Sequence, residues 1–266
     1  MNTNKNSYTF IYASILVIIV AFLLAFVSSA LHSRQQANIE LDQKKQILAS
    51  LNIIGSKDAA ADYAQCLKAE YLLDENGAIT DQSEGCAFAC ATIKSEIETK
   101  HPVYVCEVEG ATKYVFPLNG NGLWGPIWGY IALNDDRQTV YGVYFSHASE
   151  TPGLGAEITN HEKFQIPFIG KHVMRDGAVA LSVVKNGNVR DDEFEVNGIS
   201  GGTFTSKGVD AMIKADLIGY QAFLAGTAAQ APAEAAPAEA EEMAEEMLEA
   251  AADVVLDSIA ADTVSE

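Results

Sequence analysis

From residue 8 to residue 31 the chain reads YTFIYASILVIIVAFLLAFVSSAL, and no Asp, Glu, Lys or Arg lies between Lys5 and Arg34. As a helix this run extends about 36 Å at 1.5 Å per residue, more than the ~30 Å hydrocarbon core of a bilayer. A chain carrying such a run is expected to be tethered to a membrane. A secretory signal is the competing reading, because Ser28-Ser29-Ala30 resembles a cleavage site. The apolar region of a signal is usually about 7–15 residues, so the length favours an uncleaved anchor. The flanking charges do not orient it. Lys5 lies on one side, and Arg34, Lys44 and Lys45 lie on the other, diluted by Glu40 and Asp42.

The rest of the 266-residue chain divides by composition. Hydrophobic residues make up 48% of the whole, enough for a sizeable core. The net charge of −19 argues against nucleic acid, which selects a basic face. Residues 228–266 hold eleven Asp or Glu and no Lys or Arg, which leaves a moderate acidity elsewhere. The expected organisation is an anchor at 1–34, a polar juxtamembrane helix at 35–55, one α+β domain at 56–226 and an acidic Ala/Glu/Pro-rich tail at 227–266. In the tail, AQAPAEAAPAEA reads as a solvated linker. Beyond it Met243, Met247, Leu248, Ala251, Val254, Val255 and Ile259 recur at helical spacing. That pattern suits an acidic amphipathic helix docking on protein or, equally, a frayed tail.

Within the domain, DAAADYAQCLKAEYLL reads as a helix. VYVCEV, KYVFPL, WGYIALN and TVYGVYFS read as strands divided by turn residues. GAEITNHEKFQI resumes a helical pattern, ALSVVKNGNV reads as a strand and tight turn, and Val209, Met212, Ile213, Leu217, Tyr220 and Leu224 mark one face of a last helix. Cys66, Cys86, Cys90 and Cys106 fall close together without zinc-site spacing. They read as one or two disulfides outside the cytoplasm or as buried small hydrophobes.

Three glycine-rich stretches carry the candidate chemistry. ISGGTFTSKGVDAMI places Gly201, Gly202 and four hydroxyls (Ser200, Thr203, Thr205, Ser206) ahead of a helix. A phosphate suits such a place, because helix N-terminal amides and the helix dipole favour an anion. The simpler reading is a glycine turn in which Thr205 or Ser206 caps the helix. HASETPGLGAEIT follows a strand and lets backbone approach a ligand, but Ile158 stands where a dinucleotide fingerprint needs its third glycine. LNGNGLWGPIWGY sets Trp124 and Trp128 among glycines, as a ring cover or as core.

Together these stretches resemble the flavin-binding domain of the C-type subunit of the sodium-translocating NADH:quinone reductase, and in part its relative, the G-type subunit of the RNF complex. The resemblance rests on Gly122-Leu123-Trp124, on the ETPGLG run (Glu150, Thr151, Pro152, Gly153, Leu154, Gly155), on Ser200-Gly201-Gly202-Thr203 and on FIGKHV, and it spans about residues 7–223. Gly202 replaces the family's usual alanine, and Asn197 stands where Asp is frequent. The resemblance implies one transmembrane helix followed by an FMN-binding α+β domain. It implies FMN carried covalently through a phosphoester to Thr203, with Ser200, Gly201, Gly202 and Thr205 around the phosphate. Glu150, Thr151, Gly153, Leu154, Gly155, Leu123 and Trp124 are then expected along the flavin, and Lys207 as a counter-charge. No acid–base pair is expected, since the redox chemistry belongs to the cofactor. A flavin transferase using FAD, other membrane subunits and an extracytoplasmic domain are the further implications. A free-standing anchored flavoprotein reductase and a cofactor-free scaffold module are the rival functions.

Overall fold

A computed structural model describes residues 6–92 and 100–226. The expected tail helix therefore lies outside the described residues. One unbroken helix, α1 (Asn6–Ser50), runs through the apolar segment and the polar stretch after it. No boundary interrupts it at residue 34, since 32–50 contain neither Gly nor Pro. Its first part is exposed on all sides, whereas Gln46, Ile47, Leu48, Ser50 and Leu51 are buried. The helix is thus membrane-compatible at one end and part of the domain core at the other.

After α1 come α2 (Ala59–Cys66), β1 (Leu67–Leu73), β2 (Ile79–Asp81), α3 (Cys86–Thr92) and four long strands. These are β3 (His101–Val108), β4 (Ala111–Asn121), β5 (Pro126–Leu133) and β6 (Val140–His147), all at the expected places. The sheet has the order β2-β1-β3-β4-β5-β6 with antiparallel neighbours. LKAEYLL, expected to continue a helix, is strand β1 instead. Its Leu, Ala, Lys and Glu favour helices locally, but pairing along β3 (Glu70 opposite Tyr104) overrides that preference.

Alternate residues of the central strands serve two cores. Val103, Phe116, Ile131, Leu133 and Phe145 point to one face, and Tyr104, Val115, Tyr130 and Ala132 to the other. The second face receives the end of α1 and α2, with Ile47, Leu48, Leu51 and Tyr63 in its core. There the helix meets the sheet backbone to backbone. A Cβ on Gly142 would lie 2.4 Å from the Ser50 carbonyl oxygen. Asn52 then donates from Nδ2 to the Tyr141 carbonyl at 2.9 Å, and Trp128 donates from Nε1 to Gln46 Oε1 at 3.1 Å.

The first face is covered by α4 (Thr203–Gly219) and the short α5 (Gln221–Leu224) through Val209, Met212, Ile213 and Leu217. Residues 155–166, expected to be helical, fall in three short turns: Gly155–Thr159, His161–Gln165 and Ile166–Phe168. Asn160 is extended (φ −73°, ψ 106°), which ends the first turn, and its side chain accepts from the Lys163 amide and caps the second. Small pairs β7 (Met174–Arg175) with β8 (Ala178–Val179), and β9 (Ser182–Val184) parallel to β10 (Glu195–Asn197), bring the chain back to α4.

Cys66, Cys86 and Cys106 carry free thiols in the structure. Cys86 packs with Cys90 and Leu72, and burial pushes its thiol up to about 11. Burial likewise raises Cys106 to about 12, so neither is a ready nucleophile.

Candidate functional site

The three glycine-rich stretches meet at the end of the sheet where α4 begins. The helix cap is Gly202, with φ −103° and ψ 37° and no side chain to offer. The expected cap on Thr205 or Ser206 is therefore not formed. Ser206 is the first residue whose amide bonds back into the helix, to the Gly202 carbonyl at 2.9 Å. The amides of Thr203, Phe204 and Thr205 form an uncapped first turn, the arrangement that favours an anion. Gly201, at φ +77°, makes the left-handed turn that aims the chain into this start.

The four hydroxyls are not equivalent. Thr205 is 1% exposed and donates to Glu150 Oε2 at 2.7 Å. Ser206 is 3% exposed; its Oγ donates to the Gly202 carbonyl and accepts from the Ile199 amide at 2.8 Å. Both are consumed by the fold. Thr203 is half-buried at the helix start, and Ser200 is exposed on the turn before it. These two are the hydroxyls open to a ligand.

Glu150 lies at the centre of the convergence and is 5% exposed. Oε1 accepts from the Trp124 amide at 2.8 Å, while Oε2 holds Thr205. Its own amide donates to His147 Nδ1 at 3.1 Å. Burial pushes the Glu150 carboxyl up, but the bonds from Thr205, Trp124 and Leu123 outweigh burial and hold it below its ordinary value. A Cβ on Gly155 would come within 2.3 Å of Thr205 Oγ1 and 2.4 Å of Glu150 Oε2, so only glycine fits there. Thr151 and Gly153 are exposed on the outer side of the loop.

Around the helix start stand Leu123, Trp124, Leu154 and Phe204, exposed by 51%, 66%, 42% and 68%. Leu154 lies over the Gly201-Gly202 turn. Large apolar side chains gathered this way offer a surface for a flat ring system. A cleft of about 510 Å³ runs beside them, lined by Gly153, Glu157, Lys163, Asn186, Asn197 and Ser200 among others. A narrower one, about 30 Å³, joins Thr203 to Lys185 and Lys207. Lys163, Lys185 and Asn186 escaped sequence reasoning: the pairing of β9 with β10 places the KNGN turn, and Lys163 comes from the separate His161–Gln165 turn. Asn197 accepts from the Gly187 amide at 2.8 Å and shapes that turn.

A larger cleft, about 720 Å³, lies on the opposite face among Lys44, Tyr63, Glu70 and Phe88. Three of its polar side chains are engaged with neighbours. Glu70 accepts from the Ala87 and Phe88 amides and from Tyr63, and the Lys44 ammonium sits over the Tyr63 and Phe88 rings. Among the described residues no cluster of His, Cys, Asp and Glu suits a metal ion.

One helix is long and apolar enough to cross a membrane, and it leads into an α+β domain with an uncapped helix start beside exposed apolar side chains. The FMN-binding domain family model matches residues 122–217, a span that holds two of the three stretches whole and the LNGNGLWGPIWGY stretch from Gly122 onward. The C-type subunit of the Na(+)-translocating NADH-quinone reductase of Vibrio vulnificus is 28% identical over 214 residues, covering 73% of this chain and 84% of that protein. Its counterpart in Pseudomonas aeruginosa is 28% identical over 255 residues, covering 84% and 97%. The crystal structure of the same protein from Parabacteroides distasonis is 44% identical with a TM-score of 0.67, covering 73% of this chain and 96% of that one. The chain belongs to the family of C-type subunits of the Na(+)-translocating NADH-quinone reductase.

Proposed function

We propose that this chain is the FMN-carrying electron-relay subunit of a membrane sodium-pumping NADH:quinone oxidoreductase, with FMN joined through a phosphoester to Thr203. The observation that carries the reading is the division of the hydroxyls: Thr205 and Ser206 are buried and bonded, whereas Thr203 is open at an uncapped helix start. Its Oγ attacks the flavin-side phosphorus of FAD on a flavin transferase, AMP leaves, and the hydroxyl proton passes to a base of the transferase. The first-turn amides of α4 then face the phosphate, and Lys185 and Lys207 line the same narrow cleft. Trp124, Leu123, Leu154 and Phe204 give the ring an apolar seat and limit water around it. The bound flavin supplies one-electron relay chemistry, and the protein supplies its attachment and orientation. Asn197 in place of an acidic residue removes one charge near the clefts without removing a hydrogen-bond acceptor.

The reading places α1 in the membrane beside the other subunits of the complex and the domain outside the cytoplasm, where the transferase acts. Protease added to cells whose outer membrane has been opened should digest the domain; digestion only after the inner membrane is breached would count against this side. Thr203→Val is nearly isosteric and lacks the hydroxyl. It should abolish the fluorescent flavin band in a denaturing gel while leaving the melting curve of the domain little changed. An adduct that persists in Thr203→Val, or maps to Ser200 by peptide mass, would refute Thr203 as the attachment point.

A further inference from the structure

Three segments distant in sequence are tied by one carboxylate. Glu150 Oε1 holds the Trp124 amide, and Oε2 holds the Thr205 hydroxyl in the first turn of α4. The glycines on either side leave room for it: a Cβ on Gly122 would lie 2.4 Å from Oε1, and one on Gly155 would lie 2.4 Å from Oε2. The tie has a second support, because a Cβ on Gly208 would lie 2.4 Å from the Asn121 carbonyl oxygen, so the helix backbone presses directly on the strand that leads to Trp124. Among the described residues no Lys or Arg forms an ion pair with Glu150. Its charge is balanced chiefly by hydrogen bonds, an expensive arrangement that a purely apolar filling would avoid.

We propose that Glu150 is a positioning residue: it does not line the ligand surface, but sets the rotation of the first turn of α4 relative to the Trp124 loop. In doing so it aims the Thr203 hydroxyl and the free amides toward the same side as the apolar cover. The proposal rests on the attachment reading above. Thr203 and Thr205 are two residues apart on one helix, hence about 160° of rotation apart from the ~100° per residue of an α-helix. With Thr205 pinned inward by Glu150, Thr203 is turned outward. Loss of the pin frees the turn to rotate or fray.

The test uses the full chain in membranes with its flavin transferase. Two quantities are read: the rate of adduct formation on the peptide holding Thr203, by mass, and the visible circular dichroism of the attached flavin, which reports ring orientation. Thr205→Val removes one arm of the pin in a nearly isosteric way and should slow attachment by about tenfold, the scale of one lost buried hydrogen bond to a charged group. It should also alter the dichroism. Thr205→Ser keeps the hydroxyl and should restore both. Glu150→Ala should behave like Thr205→Val. Glu150→Gln should restore both in part, since its amide oxygen can accept from Trp124 and its nitrogen can donate to Thr205. If Thr205→Val and Glu150→Ala lower the melting temperature yet attach flavin at the wild-type rate with unchanged dichroism, the residues only stabilise the fold and the proposal is overturned. An adduct found elsewhere than Thr203 in the unaltered chain would overturn the attachment reading first, and this proposal with it.

Discussion

On the face of the sheet that receives α1, contact is dense and closed. Ile47, Leu48 and Leu51 are at most 1% exposed, and the helix end touches β6 through a position where only glycine fits. On the face that receives α4, the middle of the helix is equally buried, at Val209, Ile213 and Leu217, but its start opens onto Leu123, Trp124, Leu154 and Phe204 standing in solvent. The same sheet therefore offers a finished joint on one side and an unfinished rim on the other. In the proposed reading the closed joint would fix the domain relative to α1, and the open rim would hold the flavin.

Substitutions paired across the sheet test this division. The largest expected loss of stability is from Leu48→Ala on the closed face, about 3 kcal/mol for a fully buried leucine, read as a lower midpoint in thermal unfolding of the domain. Flavin attachment to the remaining folded protein should be unaffected. A variant that unfolds normally but fails to load would mean the faces are coupled.

Gly142→Ala and Gly155→Ala form the next pair. Each forces a Cβ into a gap of 2.4 Å or less, so each costs about 1–3 kcal/mol by overpacking. They should part in function. Gly142→Ala disturbs the seating of α1, seen as new protease cleavage near residue 52. Gly155→Ala displaces the Glu150–Thr205 bond and lowers attachment. Equal loading in both variants would erase the distinction between joint and rim.

A smaller effect belongs to Asp216 on the α4 side. Burial raises its carboxyl from the ordinary 3.8 to about 6, against the opposing pull of its bond from the Asn119 amide. The folded chain therefore holds this proton more tightly than the unfolded chain does. Between about pH 4 and pH 6 the folded state binds more protons, so this group's contribution to stability falls as pH rises through that window and is level above it. Asp216→Asn keeps an acceptor for the Asn119 amide and should flatten that slope in melts taken across the window; an unchanged slope would reject the assignment. Last, truncation after Gly226 should alter neither face: flavin loading and domain melting should match the full chain, and any loss confined to assembly with other subunits would assign the tail to docking.

Much of this architecture was legible in the chain because it depends on local physics. Twenty-four residues without a formal charge are long enough to cross a membrane as a helix, whatever follows them. The alternating, β-branched runs that became β3 to β6 announce themselves by period, and the glycine-rich stretches mark where backbone must turn sharply or come close. Other features depended on which segments met. Residues 67–73 carry a helix former's composition and became a strand because β3 offered a ladder of backbone partners. Residues 155–166 had helical spacing, yet Asn160 and the following Pro167 left them in separate short turns against β6. Four hydroxyls looked alike in ISGGTFTS. Only the approach of Glu150, 55 residues away, buried Thr205 and turned Thr203 outward, and only the β9–β10 pairing brought Lys185 beside it. Periodicity and turn chemistry act over a few residues and can be read in order along a chain. Burial of a particular hydroxyl or carboxylate is a property of the partners that surround it, and those partners are chosen by the packing of the whole domain.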